Sequence, residues 1–374
     1  MIGRARLHPL WRLLQSLVDS LLIPAVALFV FYQYLEDIDN FFKAMESGRK
    51  RSSKISAKNW RSGRFETGVI EEEEYLPQHT YISDDDTDFS INAAGCDAYG
   101  KKNRSYRNRT EPIQFDGLFL VSTSAANLYN RRVMRHLYSY YGSTRPYRIK
   151  CVFLVGQPRD KVIQANIERE DYQFRDIIQG RFTDHYHNLT YKTIMGYRWA
   201  YLYCKNVKLV LKMDDDVFLD VFKFFDYFLP IVSKRKRTVY GYLNHHPQVF
   251  REGKYRVAVE EYKEKEYPNF CSGFFVVPTM DVVADLYEVS KTVRFFRLED
   301  VFTYGLVRER MVDVQLVHLD VITYEWHVYR DCVHDYRYRC KYMAVEAPAS
   351  ELLSCYDQVM EARKLLGLPG GSLS

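Results

Sequence analysis

"LKMDDDVFLD", residues 211–220, sets three carboxylates side by side where an apolar run gives way to a helical pattern. The run before it, residues 207–213, reads as a buried strand, and Val217, Phe218, Val221, Phe222 and Phe225 recur at the spacing of a helix face. In open α/β sheets ligands collect at the carboxyl ends of strands, so Asp214, Asp215 and Asp216 stand at a binding position. Adjacent acids there repel one another unless water or a cation compensates them. A solvated N-cap with an acidic first helical turn accounts for them equally well. A hard divalent ion held by few carboxylates keeps positions open for phosphate oxygens, the arrangement that stabilises a departing diphosphate.

Working outward, residues 117–123 and 148–156 read as strands and residues 125–140 as the helix between them. Tyr191, Met195, Trp199 and Leu202 mark a further helix, with Asn188 at its N-cap; Asn188 also opens a glycosylation sequon that a buried cap would leave unmodified. Strands alternating with helices predict an α/β fold with a largely parallel sheet. The chain of 374 residues is 47% hydrophobic and 16% aromatic, enough for one sizeable core beside extra segments. A net charge of +5 spread over that length gives no support to nucleic-acid binding.

The N-terminus reads as a membrane anchor. Residues 17–35 carry a single acid, Asp19, and are long enough to cross a hydrocarbon core of roughly 30 Å. Arg4, Arg6 and Arg12 precede this stretch and Glu36, Asp37 and Asp39 follow it, which predicts a single-pass type II protein with its bulk in the lumen. A cleaved signal peptide ending near Ala25–Ala27 is the rival, and both routes lead into the secretory pathway. The expected organisation is a cytoplasmic tail (1–16), the anchor (17–35), a largely disordered stem of opposed charge blocks (36–112), a catalytic domain (113–345) and a C-terminal tail (346–374). Sequons at Asn103 and Asn108 close the stem. Seven cysteines without a CxxC pair suit an oxidising lumen with up to three disulfides better than a zinc cluster, and Cys332 and Cys340 are spaced to staple a hairpin.

Five ordered blocks, "KCVFLVG", "DIIQGRFTDHYHNLTYKTIMGYRWAYLYC", "LVLKMDDDVFLD", "YPNFCSGFFVVPTMDVV" and "LEDVFTYG", resemble the β-1,3-galactosyltransferase family, glycosyltransferase family 31, over residues 117–310. The long, tyrosine-rich C-terminal part is similar to that of nematode-type members. The resemblance implies a GT-A nucleotide-sugar-binding fold, Golgi membrane residence, a UDP-sugar donor, Mn²⁺ and an inverting reaction on a glycan carried by a glycoprotein or glycolipid. It makes Asp214 and Asp216 the two motif acids, Asp216 the direct metal ligand, and Asp215 a contact of the donor sugar or ribose. Asp300 becomes the catalytic base, with Glu299 beside it. The chemistry requires such a group, since inversion needs a carboxylate opposite the leaving UDP to take the acceptor hydroxyl's proton.

The same resemblance places Arg132, Arg135 and Lys192 on the donor, and Cys271, Ser272 and Gly273 on the acceptor side, where Trp326 would stack on a sugar face. His318 or His327 would add a metal ligand. Phe274 and Phe275 depart from the glycine-rich form the family shows after its CSG triplet, and the arginine block is spaced differently. The transferred hexose is expected to be galactose, with N-acetylglucosamine the alternative; an inactive lumenal scaffold is a second class of reading, and a metal-free glycoside hydrolase a third.

Overall fold

The computed structural model describes residues 79–98, 100–102, 110–112, 114–232, 234–336 and 339–368, all within one compact unit, residues 75–374. The anchor, the cytoplasmic tail, most of the stem and the asparagines of the Asn103 and Asn108 sequons lie outside the described residues. Among the described residues no helix is long and apolar enough to cross a membrane.

A sheet of eight strands forms the centre. In chain order its members are β1 (Phe89–Ile91), β4 (Gly117–Ser122), β5 (Ile149–Gln157), β6 (Ile177–Thr183), β7 (Val210–Asp214), β9 (Thr238–Asn244), β10 (Phe270–Pro278) and β11 (Gln315–His318). A two-stranded ribbon, β2 (Gly100–Lys102) with β3 (Thr110–Pro112), stands apart from it. Spatially the order is β1-β6-β5-β4-β7-β10-β9-β11. Strands β6, β5, β4 and β7 run parallel, whereas β1 and β10 pair antiparallel with their neighbours. The expected α/β class and parallel centre are therefore present, with an antiparallel extension beyond β7.

Both faces of this sheet are covered, which is why its strands read as unbroken apolar runs rather than alternating ones. Phe119, Val121, Phe153, Leu211 and Met213 face one core with the helices α1 (Leu128–Met134, prolonged by a wider turn through Ser139) and α4 (Val221–Lys223, continuing to Val232). Leu118, Leu120, Val152, Leu154 and Val210 face the other, with α3 (Leu189–Tyr203), α5 (Met280–Ser290) and the π-helical α6 (Val301–Val307). Helix α2 (Lys161–Phe174) crosses from β5 to β6.

Three boundaries differ from expectation. Residues 79–98, assigned to the stem, are part of the domain: β1 extends the sheet, Ile82 and Ala93 are buried, and Cys96 is disulfide-bonded to Cys204. Polar ties hold the same segment, the Trp199 indole donating to Asn92 at 2.8 Å and the Tyr287 hydroxyl to Asp84 at 2.6 Å. Val217–Leu219, read as the start of a helix, form a strand, β8, in a small sheet with β12 (Ile322–Thr323) and β13 (Ala344–Glu346). The C-terminal tail is structured as well: helix α8 (Leu352–Leu365) buries Leu352, Cys355 and Val359 in the first core. The Cys332–Cys340 staple forms as expected, beside α7 (Trp326–Tyr336), while Cys151, Cys271 and Cys355 are buried thiols.

The Cys96–Cys204 link closes a loop of 108 residues and should stabilise the domain by about 3–5 kcal/mol. Urea unfolding of a chain starting at residue 75 should show a loss of that order on Cys96→Ser. A chain starting at residue 113, which lacks β1 as well, should lose more.

Candidate active site

The acid triad stands at the topological switch point of the sheet. From β4 the chain goes outward to β5 and β6, then returns on the other side of β4 as β7, so the strand order reverses between β4 and β7. Ser122 and Asp214 are paired in register at the carboxyl ends of these two strands. The triad does not cap a helix. Asp220 does so instead, accepting from the backbone of Phe222 and Lys223 at 3.1 Å, and the triad runs directly into β8.

The three acids have different surroundings. Asp214, its side chain 40% exposed, accepts from the Lys212 ammonium at 3.0 Å. Asp215 is buried and faces the loop after β4, taking the Thr123 hydroxyl at 2.5 Å and the Asn127 amide at 3.1 Å on one oxygen. Both contacts tie that loop to the end of β7. Asp216 is half-buried, and its acid is pushed up to about 7 by burial first and then by Asp214, Glu346 and Asp215. Among the described residues no basic side chain pairs with it. Its backbone carbonyl accepts from Ala347, which brings β13 and Glu346 alongside.

Lys212 is fully buried inside β7, an uncommon position for a lysine. Its ammonium donates to the Gly273 carbonyl at 2.6 Å and lies 3.3 Å from Glu299, whose other contact is the Thr193 hydroxyl at 2.9 Å. Glu299 is thus a buried counter-ion, and not a free second base. Asp300 is half-buried, caps α6 by accepting from Val301 at 2.9 Å, and has its acid raised to about 7 by burial and then by Glu299. Asp300 thus starts a helix while keeping its second carboxylate oxygen outside the cap and a proton affinity near neutrality.

Several other expected contacts go elsewhere. Arg135 is buried in a bidentate pair with Asp176 at 2.7 Å and reaches Glu170 at 2.5 Å, so its guanidinium is occupied inside the fold. Its neighbour Arg131 is also paired with Glu170, at 2.8 Å, whereas Arg132 points to solvent. Lys192 is buried between Asp184 and the Thr123 carbonyl, both at 2.7 Å, and pins the β4 loop instead of reaching a donor. Cys271 is fully buried, its thiol pushed up to about 12, and Gly273 faces inward; neither lines an acceptor surface. The Ser272 hydroxyl accepts from the Asn244 amide at 2.8 Å and bonds the Tyr324 hydroxyl. Trp326 is half-buried with its ring stacked on Tyr329. His318 accepts from the Leu243 backbone at 3.1 Å, and His327, 65% exposed, pairs with Glu325 at 3.0 Å. Among the described residues no group of three or more His, Cys, Asp or Glu side chains converges as a metal cage.

Sequence reading passed over three residues. Lys212 looked like one polar interruption in an apolar strand, and Glu346 fell in the supposed tail. Tyr324 packs on Phe274 at 4.2 Å and Tyr242 at 5.0 Å, in the field of both Asp300 and Glu346. Phe274 stands where the resembling family has glycine, and that departure was the available signal.

Residues 129–320 match the family model described as galactosyltransferase. Human beta-1,3-galactosyltransferase 5 is 34% identical over 199 residues, covering 52% of this chain and 63% of the relative. Mouse beta-1,3-galactosyltransferase 1 is 33% identical over 187 residues, covering 50% of this chain and 57% of the relative. The match thus spans less than two thirds of either relative. A solved galactosyltransferase, LgtC with donor and acceptor sugar analogues, superposes over 64% of this chain and 95% of its own at 10% identity and a TM-score of 0.34, too slight a likeness to argue from. With the family model spanning half its length and both motif acids of the triad inside that span, the chain belongs to the galactosyltransferase family.

Proposed function

We propose that this chain is an inverting hexosyltransferase with a GT-A fold that moves galactose from a UDP-sugar to the 3-hydroxyl of a glycan acceptor. The observation that carries the reading is the acid triad at the switch point, running into a strand and so without a helix to cap, with Asp216 lacking a basic partner among the described residues. The Cys96–Cys204 and Cys332–Cys340 links support a domain that works in an oxidising lumen, and a type II anchor in the Golgi membrane completes the proposal.

The residues fit a hard divalent cation. Asp216 is desolvated, surrounded by like charge and uncompensated, and a cation beside it would restore the ionised form. Asp214 and Asp216 would hold Mn²⁺ with few protein ligands, which suits an ion that takes its remaining oxygens from water and a diphosphate. When bound, it would offset the charge that develops on the departing UDP.

The chain's own residues supply the rest. Asp215, through Thr123 and Asn127, fixes the loop that follows β4 beside the triad. Asp300 takes the proton of the acceptor 3-hydroxyl as that oxygen bonds to the anomeric carbon and the bond to UDP breaks. Glu299 beside it raises its proton affinity, so that it is ionised above about pH 7 and still a competent base near neutrality. Tyr324 and Tyr186, both in the electrostatic reach of Asp300, rim the position where the acceptor would lie.

UDP release from a panel of UDP-sugars should identify one donor turned over in the presence of a glycan acceptor. Asp300→Asn should lower kcat by about 10²–10⁴ while donor KM stays close to wild type. Because the base works ionised, kcat/KM should fall as pH drops through about 7, and the limb should vanish in Asp300→Asn. Arg135→Met should cost about 3–5 kcal/mol of stability by stranding buried Asp176 and leaving Glu170 to Arg131 alone, with donor KM in the folded fraction unchanged. A raised KM without lost stability would instead put Arg135 on the donor.

A further inference from the structure

Donor motif and base belong to different elements, and one side chain touches both sides. The Lys212 ammonium lies 3.0 Å from Asp214, 2.6 Å from the Gly273 carbonyl, and 3.3 Å and 3.5 Å from the two oxygens of Glu299, the residue before Asp300. We infer that Lys212 is a positioning residue that ties Asp214 on the donor side to Glu299, and through Glu299 fixes the place of Asp300 on the acceptor side.

The pattern of partners carries this. A buried ammonium needs a carboxylate to offset its desolvation, and buried Glu299 supplies one. Asp214 is a second, projecting from the strand end with its side chain 40% exposed, a partner that burial alone does not call for. The Gly273 carbonyl takes the third donor, so the ammonium has none to spare and cannot follow one partner without loosening the others. Nor is there slack behind it. A Cβ on Gly273 would sit 2.5 Å from Glu299 Oε2, so β10 backbone and Glu299 are in direct contact, and the Thr193 hydroxyl holds the other carboxylate oxygen at 2.9 Å. This gives the glycine a reason other than acceptor access: it leaves the room that Glu299 occupies. A charge that draws Asp214 toward a bound donor is therefore felt at the residue beside the base.

The inference rests on the proposed transfer reaction for its kinetic readout, but has a second readout that does not. Asp214→Asn, Glu299→Gln and the double variant would be compared in the Lys212 background and again with Lys212→Met, measuring donor KM, kcat and thermal unfolding midpoint for each. With Lys212 present, the double variant's kcat/KM should depart from the product of the two single effects by at least about fivefold, because both variants act on one shared ammonium. With Lys212→Met that departure should disappear. In the melts, the two single shifts should fail to sum when Lys212 is present; this arm needs neither turnover nor a folded Lys212→Met. Multiplicative kinetic effects with summed melting shifts in the Lys212 background would overturn the tie. A panel of UDP-sugars showing no turnover, together with coupled melting shifts, would leave the tie standing and remove the transfer reaction.

Discussion

A lysine ammonium buried inside the central sheet governs the arrangement around it. Lys212 cannot stay charged there without partners, and it finds them in Asp214, Glu299 and the Gly273 carbonyl. Those contacts divide the labour among the acids. Glu299 is committed to the lysine and Asp214 gives it one oxygen, Asp215 is committed to the β4 loop, and Asp216 and Asp300 remain as the two carboxyl groups raised to about 7. One of them faces other acids and calls for a cation; the other sits at a helix start beside Glu299 and suits proton transfer. Three adjacent aspartates are thus not three copies of one function.

Much of this was legible from residue order. Strands buried on both faces announce themselves as continuous apolar runs, so β4, β5 and β7 are readable, and so is the position of the triad at a strand end. What failed was pairing over distance. Val217–Leu219 fit a helix face as well as a strand, and what decides is β13, far along the chain. Arg135 and Lys192 show their charge in the sequence, but not that Glu170, Asp176 and Asp184 arrive from other elements to neutralise it. The stem boundary failed for a compositional reason. Asp84–Asp86 look like a solvated acid block, yet Asp86 is paired with His79 and Ser83, and Asp84 with Tyr287 and Lys291.

The stretch that matches the family model does not complete the domain by itself. Before it, β1 and Cys96 close one edge of the sheet. After it, β13 places Glu346 beside Asp216, and α8 fills the core with Leu352, Cys355 and Val359. Phe274 and Tyr324, one inside the matched stretch and one beyond it, pack against each other with ring centres 4.2 Å apart, beside the Ser272 hydroxyl that Tyr324 bonds.

The central claim is that Asp216 stands ready for a cation that carries a diphosphate. Calorimetric titration of UDP into the folded chain, with and without Mn²⁺ and beside Asp216→Ala, addresses it without any need for turnover. The prediction is UDP binding that requires Mn²⁺ and is lost in a folded Asp216→Ala. Equal binding of UDP without the metal, or binding that survives the substitution, would contradict it.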